Sequence, residues 1–75
     1  MTEEMRKDLI DNYGSQVEYD EATWVHPWVP YWRLYGCKDR DKAIKELSEK
    51  YKKYTFHNGV SVMNNTIYPV IIINN

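Results

Sequence analysis

The sequence is poor in the residues that build cross-linked or loop-rich scaffolds. Its 75 residues include one cysteine, three glycines and three prolines. A single thiol excludes an internal disulfide framework, and three isolated glycines do not form a phosphate-binding loop. We therefore expect a fold that is held together by the burial of apolar side chains.

Long apolar runs are also missing. The longest is Val70–Ile73, whereas a membrane-spanning helix needs about 20 apolar residues. The first residues are polar and include Glu3 and Glu4, unlike the basic start and apolar stretch of a signal peptide. Together with the single thiol, these absences predict a cytoplasmic protein in a reducing environment, with no membrane partner.

Charge is missing from one whole segment, although the net charge of the chain is only −1. Residues 1–22 contain seven acidic and two basic side chains, and residues 33–53 contain eight basic and four acidic ones. Residues 54–75 contain none. This distribution indicates a dipolar molecule rather than a general polyanion binder.

Two segments have helical periodicity. Residues 2–13 repeat apolar side chains every four positions, and Thr2 can cap the start of the helix. Residues 39–54 carry a second apolar stripe, and Asp39 or Asp41 can cap it. The second stripe consists of Ala43, Ile44, Leu47, Tyr51 and Tyr54.

The remaining segments predict β-structure and loops. Residues 31–35 have the pattern of a strand, and Asn64-Asn65 is typical of the two-residue turn of a β-hairpin. Asn58-Gly59 is a further turn signal. Residues 15–23 predict a loop with a short extended piece around Val17 and Tyr19, and residues 24–30, with two prolines, predict irregular structure.

The hairpin turn sets the faces of its two strands. Val62 should face Ile67, and Val60 should face Pro69, whose ring suggests an edge position or a bulge. The predicted core face carries Val60, Val62, Ile67, Ile71 and Ile73. The other face, which is too apolar to be fully solvated, carries Ser61, Met63, Thr66, Tyr68, Val70 and Ile72.

These elements predict one α+β domain spanning residues 1–75. Two helices pack on one face of a three-stranded, mainly antiparallel sheet, in the chain order α-β-α-β-β. A strand–helix–strand connection also allows parallel neighbours around the second helix.

The segment from Trp24 to Tyr35 is the candidate binding segment, because it holds five of the eleven aromatic residues. Trp and Tyr side chains dominate interface hot spots. We therefore predict that Trp24, Trp28 and Tyr31 anchor a partner and that Asp20 and Glu21 steer it. The alternative is that these rings fill the core, since a small domain needs large side chains.

The basic second helix and the catalytic side chains are weaker candidates. The lysines and arginines of the second helix can bind the phosphates of a nucleic acid while neighbouring aromatic side chains stack on its bases. The acidic residues among them also fit an ordinary solvated face. Cys37 precedes this helix, where a thiol pKa can fall, but one cysteine with His26 and His57 is little basis for catalysis. We predict no enzyme activity, no cofactor and no metal site.

The sequence therefore predicts a small macromolecule-binding protein. The leading hypothesis is a protein–protein interaction or inhibitory accessory protein of bacterial or phage type. The alternative is a nucleic-acid-binding module that uses the basic helix and stacking aromatics. The apolar C-terminal strand further predicts a homodimer, because an uncovered apolar strand invites pairing.

Overall fold

The computed structural model describes residues 1–20 and 31–75. Within this part of the chain, helices and strands follow the order α1 (Glu3–Asn12), β1 (Gln16–Asp20), β2 (Tyr31–Tyr35), α2 (Arg40–Lys50), β3 (Thr55–Met63) and β4 (Thr66–Asn74). The α+β class is confirmed. The predicted strand count is wrong, because the described sheet has four strands instead of three.

Helix α1 begins and ends where its local chemistry places it. The Thr2 hydroxyl accepts a hydrogen bond from the Met5 N–H at 3.1 Å, which satisfies one of the free donors of the first turn. At the other end, the Gly14 N–H donates to the Leu9 carbonyl at 2.8 Å. The predicted helix 2–13 is thereby confirmed to within a residue or two at each end.

Helix α2 is shorter than predicted. Asp39 caps it by accepting from the Lys42 N–H at 3.2 Å. The helix ends at Lys50 rather than at residue 54, and the Tyr54 N–H then donates to the Tyr51 carbonyl at 3.1 Å. The apolar stripe continues beyond the helix because this turn still holds both tyrosines against the core.

Strand β1 replaces most of the predicted loop 15–23. It pairs antiparallel with β2, with Val17 opposite Leu34 and Tyr19 opposite Trp32. Val17 is buried on the face that the helices cover. Alternation of polar and apolar side chains over five residues is only a weak strand signal, so the pairing with β2 must stabilise this strand.

The sheet order is β1-β2-β4-β3, and every neighbouring pair is antiparallel. Strands β2 and β3, which α2 connects, run in the same direction but are separated by β4. The parallel neighbours that the sequence allowed around α2 therefore do not occur in the described sheet.

The hairpin register is confirmed. Val62 faces Ile67, and Asn64 and Asn65 form the turn with φ of 50° and 63°, as a two-residue type I′ turn requires. The predicted turn at Asn58-Gly59 is wrong, because both residues lie inside β3. A Cβ at Gly59 would lie 2.5 Å from Ile72 Cγ1, so the glycine permits a close approach instead of a turn.

Both helices pack on one face of the sheet, as predicted. We call this covered side the front face and the other side the back face. The buried cluster draws on both helices and on all four strands and consists of Met5, Leu9, Val17, Leu34, Ala43, Leu47, Phe56, Ile71 and Ile73.

The predicted core face of the hairpin is correct for only part of its length. Ile71 and Ile73 are fully buried, whereas Val60, Val62 and Ile67 on the same face are 65%, 65% and 67% exposed. Val70 lies on the back face, as the sequence predicted, but it is fully buried, whereas the prediction assigned that face no core residue. The front-face prediction fails toward the turn because the helices do not extend over that end of the hairpin.

Candidate interaction surface

The end of the β3–β4 hairpin projects beyond the rest of the described sheet. Pairing between β2 and β4 runs only from Trp32↔Ile73 to Tyr35↔Val70. The stretch of β4 closer to the turn pairs with β3 alone. We call residues 60–69 the ribbon. Pro69 occupies the first position of β4 that has no partner on the β2 side, where no ladder hydrogen bond is needed. Strand β4 itself lies between β2 and β3, so the predicted edge position is correct only at this end, and the prediction of an uncovered C-terminal strand that pairs with a second copy is wrong for Val70–Ile73.

The ribbon exposes large apolar side chains on both of its faces. Val60, Val62 and Ile67 lie on the front face, and Met63 and Tyr68, which are 39% and 40% exposed, lie on the back face. Single exposed apolar residues are common on protein surfaces, but a contiguous group marks an interaction site. Tyr and Met are also enriched at protein interfaces.

A polar network on the back face fixes the base of the ribbon. Arg33 donates to the Ser61 hydroxyl at 2.7 Å and to Glu18 at 3.1 Å. The hydroxyls of Tyr35 and Ser61 lie 2.9 Å apart. Because Arg33 and Tyr35 stand on β2 and Ser61 on β3, both side chains cross β4 to make these contacts.

This network also explains two features of the back face. Ser61 is 5% exposed, so its hydroxyl needs the partners that it has. Val70 lies between Tyr35 and Gly59, so the side chains that reach from β2 to Ser61 pass over β4 beside it, which accounts for its burial. The ring of Tyr35 packs edge-on against that of Tyr68 at 6.5 Å, which links the network to the exposed part of the ribbon.

A cleft of ≈ 430 Å³ lies on the back face between the ribbon and the neighbouring ends of β1 and β2. Its walls include Glu18, Tyr35, Cys37, Met63 and Tyr68. A cleft that combines aromatic rings and a flexible thioether with polar groups can accept an apolar side chain with a polar end.

The thiol in this cleft is not activated. Cys37 is half-buried, and burial raises the pKa of its thiol despite a backbone hydrogen bond that works in the opposite direction. The lowered pKa that its place before α2 suggested is therefore wrong. A protonated thiol at neutral pH is a poor nucleophile.

Part of the positive charge of α2 is used inside the molecule. Lys50 forms an ion pair with Asp8 at 2.6 Å, and Arg40 donates to the Gly59 carbonyl at 3.4 Å. Lys42 and Lys45 are exposed, but Asp39 lies within the same surface. Because basic and acidic side chains are mixed on the surface of this helix, the ribbon is the better candidate site.

The structure places only two of the five predicted binding residues. Asp20 ends β1 and pairs with Tyr31, the half-buried first residue of β2. Glu21, Trp24 and Trp28 lie outside the described residues. The sequence interpretation missed the ribbon, because it assigned Val60, Val62 and Ile67 to the core.

Comparisons of the chain with protein-family models, curated proteins and solved structures found no match. Neither of the described helices combines the length and the apolar content that crossing a bilayer requires. Residues 1–20 and 31–75 contain no group of three or more His, Cys, Asp or Glu side chains arranged to hold a metal ion.

Proposed function

We propose that this protein acts by binding another protein and that the back face of the ribbon makes the contact. The observation that carries the proposal is the exposure of Met63 and Tyr68 beside a cleft at the base of the ribbon. Tyr side chains contribute a large contact area at a low entropic cost. In its narrower form, the protein is an inhibitory accessory protein of bacterial or phage type that occupies a surface of its target.

Two further observations support a rigid binding surface. The network of Arg33, Tyr35 and Ser61 holds the base of the ribbon in one geometry, which lowers the entropic cost of association. Glu18, which also lines the cleft, belongs to the same network through its ion pair with Arg33 at 3.1 Å. Trp24 and Trp28 remain candidate anchors from the sequence alone.

Site-specific photo-crosslinking in the source cell tests the proposal. A photo-reactive phenylalanine analogue replaces Tyr68 in one variant and Glu3, an exposed residue of α1, in the matched control. We expect a discrete crosslinked protein with the first variant only. Identical products from both variants, or no product at position 68, would contradict a partner at the back face of the ribbon.

The nucleic-acid alternative makes a different prediction. Binding of a fluorescent single-stranded oligonucleotide through α2 should weaken steeply with salt and should be reduced by Lys42→Ala together with Lys45→Ala. Tyr68→Ala should leave such binding unchanged. Strong oligonucleotide binding at low salt that depends on Lys42 and Lys45 but not on Tyr68 would favour the nucleic-acid hypothesis over the protein-binding hypothesis.

A further inference from the structure

The outer edge of β3 lacks the features that protect sheet edges. Natural edge strands carry Lys, Pro or bulges that discourage pairing with another chain. From Thr55 to Met63, β3 has neither a charged residue nor a proline, and it pairs with β4 in an unbroken register. At the opposite edge of the sheet, β1 carries Glu18 and Asp20. Among the described residues, β4 has a second free edge along Thr66–Pro69, but that stretch contains a proline, so the β3 edge is the one that lacks protection against strand addition.

The hairpin turn determines which backbone groups of β3 face outward. In a two-residue hairpin the pair that flanks the turn, Met63 and Thr66, exchanges hydrogen bonds, and the pairs then alternate along the ladder. Val62 and Val60 therefore belong to pairs without mutual hydrogen bonds, so their N–H and C=O groups face away from β4. Pro69, which has no N–H, lies opposite Val60 and agrees with this alternation.

Helix α2 reaches β3 at a different place. Arg40 contacts the Gly59 carbonyl, and Asp41 accepts a hydrogen bond from Asn58 at 3.3 Å. The two valines that follow along β3 are 65% exposed. The backbone edge and the apolar side chains at Val60 and Val62 are thus available together.

We propose that a second copy of this chain pairs with β3 in antiparallel orientation, about a two-fold axis at Ser61. Val60 then lies opposite Val62 of the second copy, and the reverse pair forms by symmetry. Each of these two pairs exchanges two backbone hydrogen bonds, and the valines of both copies join one apolar surface on the front face. The product is one continuous sheet across the dimer.

Three properties favour a second copy over another occupant. An antiparallel strand paired with itself is self-complementary, as a two-fold interface requires. Since residues 54–75 carry no formal charge, like charges do not oppose each other across the axis. Apolar β-branched residues also form favourable cross-strand pairs.

The dimer extends the proposed function. Pairing uses the edge of β3, the front face of the ribbon and the contact of Met63 with Gly59 of the second copy, and it leaves Tyr68 and the β1–β2 side of the back-face cleft open in each copy. The dimer therefore offers two equivalent sites for the partner. The inference uses the ribbon of the proposed function, but its test needs no foreign protein.

Sedimentation velocity over a wide concentration range measures the association, and two variants test its mode. Val60→Pro removes an outward N–H without removing a bond to β4, and Val62→Lys places a charge beside the axis in both copies. We expect the wild type to dimerise and each variant to raise the dissociation constant at least about tenfold, since two interchain hydrogen bonds are lost or two charges are opposed.

Tyr68→Lys is the matched control, because it adds the same charge to the back face and should leave the dimer intact. Circular dichroism verifies the fold of each variant, and Val62→Lys carries the test if Val60→Pro is misfolded. A wild type that stays monomeric at every concentration would overturn the dimer. A dimer that tolerates the two β3 variants, or that is lost with Tyr68→Lys, would overturn pairing through β3. Crosslinking at position 68 tests the proposed function independently of all these outcomes.

Discussion

The carboxylate of Asp8 should stabilise the contact between α1 and the end of α2. Asp8 of α1 accepts hydrogen bonds from Lys50 at 2.6 Å, from the Tyr51 hydroxyl and from Asn12 at 2.7 Å. Its side chain is only 15% exposed. Asp8→Ala removes all of these contacts, whereas Asp8→Asn removes the charge and one accepting oxygen but keeps the other.

The magnitude follows from the exposure of each partner. Lys50 is half exposed, so the ion pair contributes little. The hydrogen bond from Tyr51 is stronger, because a hydrogen bond to a charged group contributes about 1.5 kcal/mol or more. We expect Asp8→Ala to lower the free energy of unfolding by about 2 kcal/mol and Asp8→Asn by about 1 kcal/mol. For a domain of this size, the alanine variant should melt roughly 8–16 °C lower.

The effect should also depend on pH. Burial works to raise the pKa of Asp8, but the hydrogen bonds from Lys50, Tyr51 and Asn12 outweigh it and hold the pKa below its usual range. A carboxylate with a lowered pKa stabilises the folded state above its unfolded pKa of about 3.9 and loses this contribution as the pH falls through its folded pKa. The stability difference between the wild type and Asp8→Asn should therefore be constant near neutral pH and shrink in acid.

Urea unfolding at several pH values between neutral and strongly acidic measures this difference. Asp11→Asn is the matched control, because it changes the same charge in the same helix at an exposed position. Equal effects of the two asparagine variants, or a difference for Asp8→Asn that persists unchanged into strong acid, would refute the reasoning.

Three further substitutions test the packing. Gly14→Ala places a Cβ 2.4 Å from the Tyr35 carbonyl oxygen and should lower the free energy of unfolding by about 1–3 kcal/mol in thermal melts. Gly59→Ala should cost less, because its new methyl group meets side-chain atoms of Ile72 rather than backbone; the reverse order would contradict the packing. Ser61→Ala removes a buried hydroxyl that lies 2.9 Å from the hydroxyl of Tyr35. It should lower the free energy of unfolding in urea by about 1–3 kcal/mol. An alanine variant as stable as the wild type would show that the network does not hold the ribbon. Ile67→Lys should change the free energy of unfolding by no more than about 0.5 kcal/mol relative to the wild type. A larger loss in the same assay would show that this side chain is covered.

Local chemistry was sufficient for the elements whose signals lie within a few residues. The cap at Thr2 begins α1, and the pair Asn64-Asn65 gives the turn and the register of the hairpin. Strand β2 also has its predicted bounds. The cap and the turn depend on interactions between residues that are close in the sequence, so a single sequence contains them. The bounds of β2 follow from its own apolar and aromatic pattern and from Gly36 after it, although its partners are distant.

Long-range pairing decided the features that were missed. Strand β1 is a strand because β2 lies beside it, and the order β1-β2-β4-β3 depends on contacts between distant segments. Gly59 carries a turn signal, yet its missing side chain accommodates Ile72 from the neighbouring strand. A glycine has the same sequence signature in both roles, so only the packed structure separates them.

The candidate site was missed because alternation predicts the face of a strand but not what covers that face. Val62 and Ile73 share the front face of the hairpin, yet only Ile73 lies under the helices. The lengths of the helices and strands indicate how much of the hairpin the helices can cover. Helix α2, with 11 residues, spans roughly 16 Å, whereas β3, with nine, spans roughly 30 Å. Helices of this length leave about half of such a hairpin uncovered, and an uncovered end that stays apolar and uncharged indicates an interface rather than a core.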